Sequence, residues 1–413
     1  MNSRTGTASL GILLGHAVRV QVISYGMRPA ISYAILDQGY DPVWLGTATA
    51  AFAVPPLLLA LPSGSFIDRF GERRMLVAGA VAFVLAALSA LFAGATLFGL
   101  IAATAFLGLG VLFSVVGEQA WVMRGAQAGR LDSAFGLYTF ATSSGQMLGP
   151  LLLLLLHSGT ANFPAFEGVT LNVLCAAVAC LLLSALIRSR TTQGPDDPAP
   201  FHTPPTAQKR SQGSPGSLRT LLRRRGVVPA LVASSLALSS LDILIAYLPL
   251  LAQERGLAPA WLSAMLVARG AATMLSRICL GMLTRRLGRR RVLVIAGIAS
   301  AGSLILLATP SPPLALVAGM VVYGLTIGIV QPLTMSWITL VTPVRDLGVA
   351  ASLRLLANRA GQTLLPIAIA GVTVGGGATL AFGVTGATLV TTAWLSRWAP
   401  NTDDSPHAGD PGP

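Results

Sequence analysis

Charge is what this sequence has least of. Only 10% of its 413 residues are Asp, Glu, Lys or Arg, against about 25% in an ordinary soluble domain. So few charges cannot coat a globule of this size with a solvated surface. Disorder is excluded as well, because it needs low hydrophobicity and 53% of these residues are hydrophobic. Cysteine is scarce. Cys175, Cys180 and Cys279 all lie in apolar stretches, so neither a disulfide framework nor a zinc cluster is readable. Acids number 15 and histidines four, and their spacing offers no metal constellation and no catalytic triad. A phosphate-cradling loop is missing too: Gly108 and Gly110 form a glycine pair inside an apolar run. The first twenty residues hold one short apolar run, Leu10 to Leu14, broken by His16 and Arg19. No small-residue cleavage site follows, which argues against a removed signal peptide.

What is present is a series of long apolar segments, with a mean hydropathy of +0.70. A bilayer core about 30 Å thick needs roughly 20 apolar residues per helix. Twelve segments qualify, at about 9–35, 43–64, 75–94, 97–121, 134–157, 168–187, 227–252, 260–283, 292–309, 313–338, 348–371 and 375–396. Only helices satisfy their own backbone in segments of this kind, so the expected fold is an all-α polytopic membrane protein with twelve transmembrane helices. The chain is strongly basic, with 28 basic residues against 15 acids. With the N-terminus placed in the cytoplasm, 21 basic residues fall on the cytoplasmic side, six fall inside helices, and Arg255 alone lies opposite. That asymmetry explains the charge without nucleic acid, and it predicts a multi-pass inner-membrane protein with both termini cytoplasmic. Trp44, Trp121, Trp261, Trp337, Trp394 and Trp398 sit near helix ends, at headgroup depth.

Residues 188–226 hold six prolines and the cluster Arg223, Arg224 and Arg225, the composition of a flexible linker beside a membrane surface. The chain therefore divides into an N-terminal six-helix half (1–187), a cytoplasmic linker (188–226), a C-terminal six-helix half (227–397) and a disordered tail (398–413). The halves share sequence. At an offset of 217, Gly39, Pro42, Trp44 and Leu45 recur as Gly256, Pro259, Trp261 and Leu262. At the same offset Gly64, Arg69, Gly71, Arg73 and Arg74 recur as Gly281, Arg286, Gly288, Arg290 and Arg291. Gly145, Gln146 and Pro150 echo as Gly361, Gln362 and Pro366 at an offset of 216. A duplicated membrane bundle is a common transporter architecture.

The segment Gly64-Ser-Phe-Ile-Asp68-Arg69-Phe-Gly71-Glu-Arg73-Arg74 follows the second helix and is repeated after the eighth. It resembles the loop signature of the major facilitator superfamily, and the resemblance covers essentially the whole chain. It implies that fold, with six helices per half, and a latch role for Asp68 when the outward-open state forms; the alternative is an arginine loop that only fixes topology. Arg285 stands where Asp68 stands in the first copy, so the second copy lacks the acid. On the fifth helix, Gly136, Gly145, Gly149 and Pro150 match the spacing of the drug/proton antiporter branch. Leu153 and Leu154 replace its next glycines, and helix four has no central arginine. The match is partial, and a small-residue packing face is the alternative.

Eight ionisable residues fall within the predicted helices: Arg19, Arg28, Glu118, Asp242, Arg269, Arg277, Arg354 and Arg359. Each costs at least about 2.5–3.5 kcal/mol at the bilayer centre if unpaired. Asp242 lies mid-helix on a face with Ser235 and Ser239, and it is the first candidate for a proton carrier, with a static ion pair as the alternative. Gln21, Ser24, Arg28 and Ser32 form a stripe on helix one. The duplication brings Arg28 toward Asp242 from the opposite half, to pair with it or to bind an anionic group. Tyr138, Thr142 and Gln146 on helix five, and Arg354, Asn358 and Gln362 on helix eleven, are further cavity candidates, as is Arg269. Glu118 is either a second proton site or a partner of Arg73 or Arg74. Arg277 is expected to snorkel to the inner face, Arg19 to lie nearer the cytoplasm than the main site, and His16 and His157 to be interfacial.

The expected function is secondary active transport by alternating access: proton-coupled efflux of a small molecule. The rivals are an organic-anion transporter using the in-membrane arginines and a non-transporting sensor on the same fold. The expected partners are a small-molecule substrate, protons as coupling ion and membrane lipids, with the chain acting as a monomer. No nucleic acid, cofactor, metal or enzymatic activity is expected.

Overall fold

The computed structural model describes residues 3–125, 131–155, 166–187, 221–342 and 347–400, and they are helical throughout, with no strand among them. The helices are α1 (Ser3–Asp37), α2 (Val43–Phe70), α3 (Glu72–Ala93), α4 (Leu97–Gly125), α5 (Leu131–Leu155), α6 (Phe166–Leu186), α7 (Val227–Glu254), α8 (Pro259–Leu287), α9 (Arg289–Ala308) and α10 (Pro313–Val341). The last helical stretch, Leu347–Leu395, is broken at Gly377 (φ 55°, ψ −150°) into α11 (347–376) and α12 (378–395). No loop is needed at that break, because the Glu254 carboxylate accepts the Ala378 N–H at 3.0 Å. An acid there meets the positive end of α12.

Among the described residues nine helices are long and apolar enough to cross a membrane, and the apolar part of α2, Val43–Leu59, is shorter. The outer surface is apolar where a soluble protein would be charged. Phe98 is 82% exposed and Phe92 80% exposed, and Leu58, Leu182 and Leu314 are also bare. Lipid is the solvent that makes such a surface favourable. Six of the twelve predicted helices run three or more residues longer than hydropathy alone indicates, since end turns continue them. The packed chain also extends past Arg397. Ser396–Trp398 forms a 3-10 turn, Trp398 packs edge-on to Trp394 at 4.5 Å, and Ala399 is buried.

The repeated sequence has a backbone cause. Gly39 and Gly256 both take positive φ (77° and 60°). Behind them the next residue donates to a carbonyl five back: Tyr40 N–H to Ile35 at 3.2 Å, and Leu257 N–H to Ala252 at 2.8 Å. This is the helix stop that a left-handed glycine permits. Gly71 and Gly288, at φ 79° and 78°, likewise separate α2 from α3 and α8 from α9. The motif glycine before Gly288 differs in role. A side chain at Gly281 would meet nothing within 4 Å, so in the second copy only Gly288 is conformationally required.

Glycines also set how closely helices approach. A Cβ on Gly145 would meet the Val18 carbonyl at 2.3 Å, and one on Gly149 the Gly26 nitrogen at 2.9 Å. These two residues seat α5 against α1. In the second half Gly361 packs on Ser235 of α7. The halves meet at Gly46, which lies against Pro366 and Ala370 of α11. They also meet along α5 and α8, where Met147 touches Gly270.

Candidate functional site

Asp242 is the sixteenth residue of the 28 in α7. At 1.5 Å per residue it lies about 22 Å from one end of that helix and about 18 Å from the other. Arg28 of α1 donates from Nη1 to Asp242 Oδ1 at 2.7 Å. Both side chains are buried, so this ion pair joins the two halves near the membrane midplane. The second carboxylate oxygen accepts Gln362 Nε2 of α11 at 2.5 Å. Gln362 Oε1 in turn accepts Arg359 Nη1 at 3.0 Å. The Arg28 guanidinium also lies over the Phe52 ring of α2, 4.4 Å from its centroid. Four helices thus hold one carboxylate, and three of them carry the groups bonded to it or stacked on its partner.

Arg269 of α8 reaches the same region. Its guanidinium lies over the Tyr25 ring of α1 at 5.2 Å. Arg28, Asp242 and Arg277 are also near enough to act electrostatically on Tyr25. The duplication gives this arrangement its logic: at the offset of 217, Tyr25 corresponds to Asp242 and Phe52 to Arg269. At these two positions the first repeat supplies an aromatic ring and the second a charge.

The remaining sequence candidates separate into those the site gathers and those it does not. Asn358 is buried on α11 with its Oδ1 unsatisfied. Ser239 donates back to Ser235 of its own helix at 2.8 Å. Ser235 crosses instead to the Ala357 carbonyl at 2.8 Å. Gln21 is buried against the seam where Gly145 packs. Thr142 donates to the Thr139 carbonyl at 2.9 Å, and Gln146 is half-buried on the same helix. Arg354 does not face Asp242. It donates to Gln331 of α10 at 2.8 Å. Arg19 is exposed and folds back onto the Gly15 carbonyl at 3.0 Å.

Four expectations are corrected. Glu118 does not pair with Arg73 or Arg74, both of which are exposed. It is sealed inside the first half, where its oxygens meet His16 Nδ1 of α1 at 2.7 Å and the Tyr138 hydroxyl of α5 at 3.0 Å. His16 is not interfacial but fully buried, and its Nε2 contacts Ser184 Oγ of α6 at 3.1 Å. Tyr138 is thereby spent on this network and does not line the midplane site. Arg277 does not snorkel. It crosses between halves to Ser143 Oγ of α5 at 2.6 Å. An acid and a histidine buried in apolar surroundings each need a partner, and sequence spacing alone does not say that α1 and α4 provide them to each other.

In the loop signature, Gly71 makes the turn and its N–H caps α2 on the Ile67 carbonyl at 2.8 Å. Arg74 lies 5.8 Å from the Phe70 ring centroid. The surroundings of Gly64, Asp68, Arg69 and Gly136 lie outside the described residues, although all four positions are helical, and so does His157. Pro150 is buried inside α5. Sequence reasoning missed Tyr25, Phe52 and Gln331. Tyr25 had a signal, since Gln21, Tyr25, Arg28 and Ser32 share one helical face at steps of four, three and four.

The sequence profile of the Major Facilitator Superfamily matches residues 20–275 and 236–412. The chain belongs to that superfamily. Solved transporters share its fold at low identity. A POT family transporter in complex with a thioalcohol-conjugated peptide is 16% identical, with a TM-score of 0.73 over 94% of each chain. The xylose transporter XylE from E. coli, in an inward-open conformation, is 15% identical, with a TM-score of 0.72 over 96% of this chain and 97% of that one. The nucleoside transporter NupG is 14% identical, with a TM-score of 0.72 over 94% and 98%. No curated protein matches the sequence. The chain is thus a multi-pass membrane protein with the transporter fold of the superfamily.

Proposed function

We propose that this superfamily member is a proton-coupled secondary transporter working by alternating access, with Asp242 as the proton carrier. The observation that carries the reading is the buried contact of Arg28 with Asp242 across the two halves. A carboxyl there is either ionised against Arg28 or protonated and released from it, so its proton controls whether α1 and α7 are tied together. Gln362 and Arg359 extend the same control to α11. Glu118, inside one half, has no such lever. The arginine asymmetry supports cytoplasmic termini and linker in an inner membrane, with the chain acting as a monomer among lipids. The Gly136, Gly145, Gly149 and Pro150 pattern supported efflux by antiport. Gly145 and Gly149 now have a packing role against α1 that suits either direction, so the sense of coupling rests on the charges at the site.

The test is transport in proteoliposomes under an imposed pH gradient. Wild-type protein is expected to drive substrate accumulation with proton movement in a fixed ratio. Flux that ignores the proton gradient would leave a facilitator, and no flux of any solute would leave a sensor.

A further inference from the structure

We propose that the midplane site binds an anionic group, in the simplest case a carboxylate, on Arg269 and Arg28, and that this anion loads together with a proton on Asp242. The proposal rests on the transport reading above and names its substrate class and its sense of coupling.

The observation behind it is an unmatched guanidinium. Six arginines lie inside the apolar spans read from the sequence. Arg19, Arg28, Arg277, Arg354 and Arg359 each donate to an oxygen. Arg269 donates to none. It is fully buried, and its Nε, Nη1 and Nη2 all lack a hydrogen-bond partner. Its guanidinium lies over the face of Tyr25. A guanidinium presents five N–H donors in a planar fork suited to a two-oxygen anion. Beside it, Arg28 uses Nη1 on Asp242 and leaves Nη2 unsatisfied. Arg359 Nε is unsatisfied as well.

The charges lean the same way. Those facing Asp242 are Arg28 from α1 and Arg359 from α11, and Arg269 from α8 shares Tyr25 and Tyr323 with it as neighbours. Tyr25 from α1 and Tyr323 from α10 are the titratable hydroxyls in reach, and α2 presents Phe52 to Arg28. Cations therefore outnumber acids in this region. A charge inside a membrane is costly unless it is paired, and an anion held for part of the cycle would pair this excess.

Coupling follows from sharing Arg28. An anion that takes Arg28 removes the partner of Asp242, and a proton on Asp242 removes the charge that would otherwise be stranded. Each event favours the other, so the two loadings are positively linked. Anion and proton then enter as a neutral pair, which is symport. A cationic substrate would instead compete with the proton for Asp242 and give antiport.

The experiment uses the purified full-length protein in detergent, with benzoate, inorganic phosphate and the matched cation benzylammonium as probes. The readouts are the thermal unfolding midpoint and proton uptake on binding. Benzoate or phosphate is expected to raise the midpoint, and benzylammonium is not. Apparent affinity for the anion should strengthen between about pH 8 and about pH 6, by up to roughly tenfold per pH unit for one linked proton. Arg269→Gln should weaken anion binding roughly tenfold or more while keeping or raising the midpoint without ligand. Arg269→Lys should recover part of the binding. Asp242→Asn should bind the anion with no pH dependence and no proton uptake. A midpoint lowered by Arg269→Gln would mean a structural charge and would overturn the proposal. So would better protection by benzylammonium, no protection by either anion, or affinity that strengthens as pH rises. Proton-linked anion binding without gradient-driven flux in liposomes would keep this site and refute the transport reading. Proton-driven flux of a cation without anion binding would do the reverse.

Discussion

Two buried polar clusters share helix α1 and differ in kind. His16 anchors one and Arg28 the other, twelve residues and about 18 Å along the helix. Around His16 every described polar group is met: Glu118 has His16 and Tyr138, and His16 has Ser184 on its far nitrogen. Leu13, Ala17, Trp121 and Ile187 close over it. All its members belong to the first six helices. Around Arg28 the members come from both halves, and several nitrogens are left without acceptors. A satisfied network within one rigid body holds that body together. An unsatisfied network that spans two moving bodies is where a ligand and a proton change the balance.

Breaking the midplane cluster should have the largest effect. Asp242→Asn imitates the permanently protonated acid. It should abolish gradient-driven accumulation in proteoliposomes, yet leave substrate exchange across the membrane, because exchange needs no net proton movement. Full accumulation by this variant would reject Asp242 as carrier and transfer the role to Glu118.

Stability tests the same cluster from the other side. Arg28→Ala removes one partner of a buried pair, a change that costs about 3–5 kcal/mol. Arg28→Ala combined with Asp242→Asn should cost less than Arg28→Ala alone, since no charge is then stranded. Thermal unfolding in detergent compares the two. A double variant less stable than the single would show that Asp242 is held independently of Arg28.

The sealed cluster should respond through stability alone. Glu118→Gln trades charge-assisted bonds to His16 and Tyr138 for weaker ones, at about 1.5–3 kcal/mol. The unfolding midpoint should fall, while the ratio of protons to substrate stays at the wild-type value. A changed ratio would erase the distinction between the clusters.

Much of this was legible in the sequence, for identifiable reasons. Helix number follows from hydropathy, because a bilayer fixes the length of an apolar span. The duplication shows in residues such as Gly39 and Gly256, whose positive φ no other residue adopts as freely. The approach of Arg28 to Asp242 followed from placing the two repeats in one register. The His16–Glu118 bond did not, since it joins α1 to α4 within one half, whereas the 217-residue register relates helices of opposite halves. The partner of Arg354 was not legible either. The spacing of Arg354, Asn358 and Gln362 gives a shared face of α11, but a long side chain travels from that face, and Gln331 on α10 takes it.

The smallest effects concern the helix seam that carries both clusters. Gly145 and Gly149 fix the distance between α5 and α1, and α1 bears His16 and Arg28. Gly145→Ala would drive a methyl toward the Val18 carbonyl, 2.3 Å away, and onto Gln21. Backbone cannot yield there as a flexible side chain would, so the cost should be about 1–3 kcal/mol. Because α1 moves as a whole, both clusters should loosen together. The unfolding midpoint should drop, and anion binding and its pH dependence should weaken with it. Gly281→Ala is the control from the second repeat. Its new methyl meets nothing within 4 Å, and alanine favours the helix by roughly 0.5–1 kcal/mol over glycine. That variant should be as stable as wild type or slightly more so, with transport unaltered. Equal behaviour of the two glycine variants would mean that the α1–α5 seam does not set either cluster, and the contrast between them would need a source other than the shared helix.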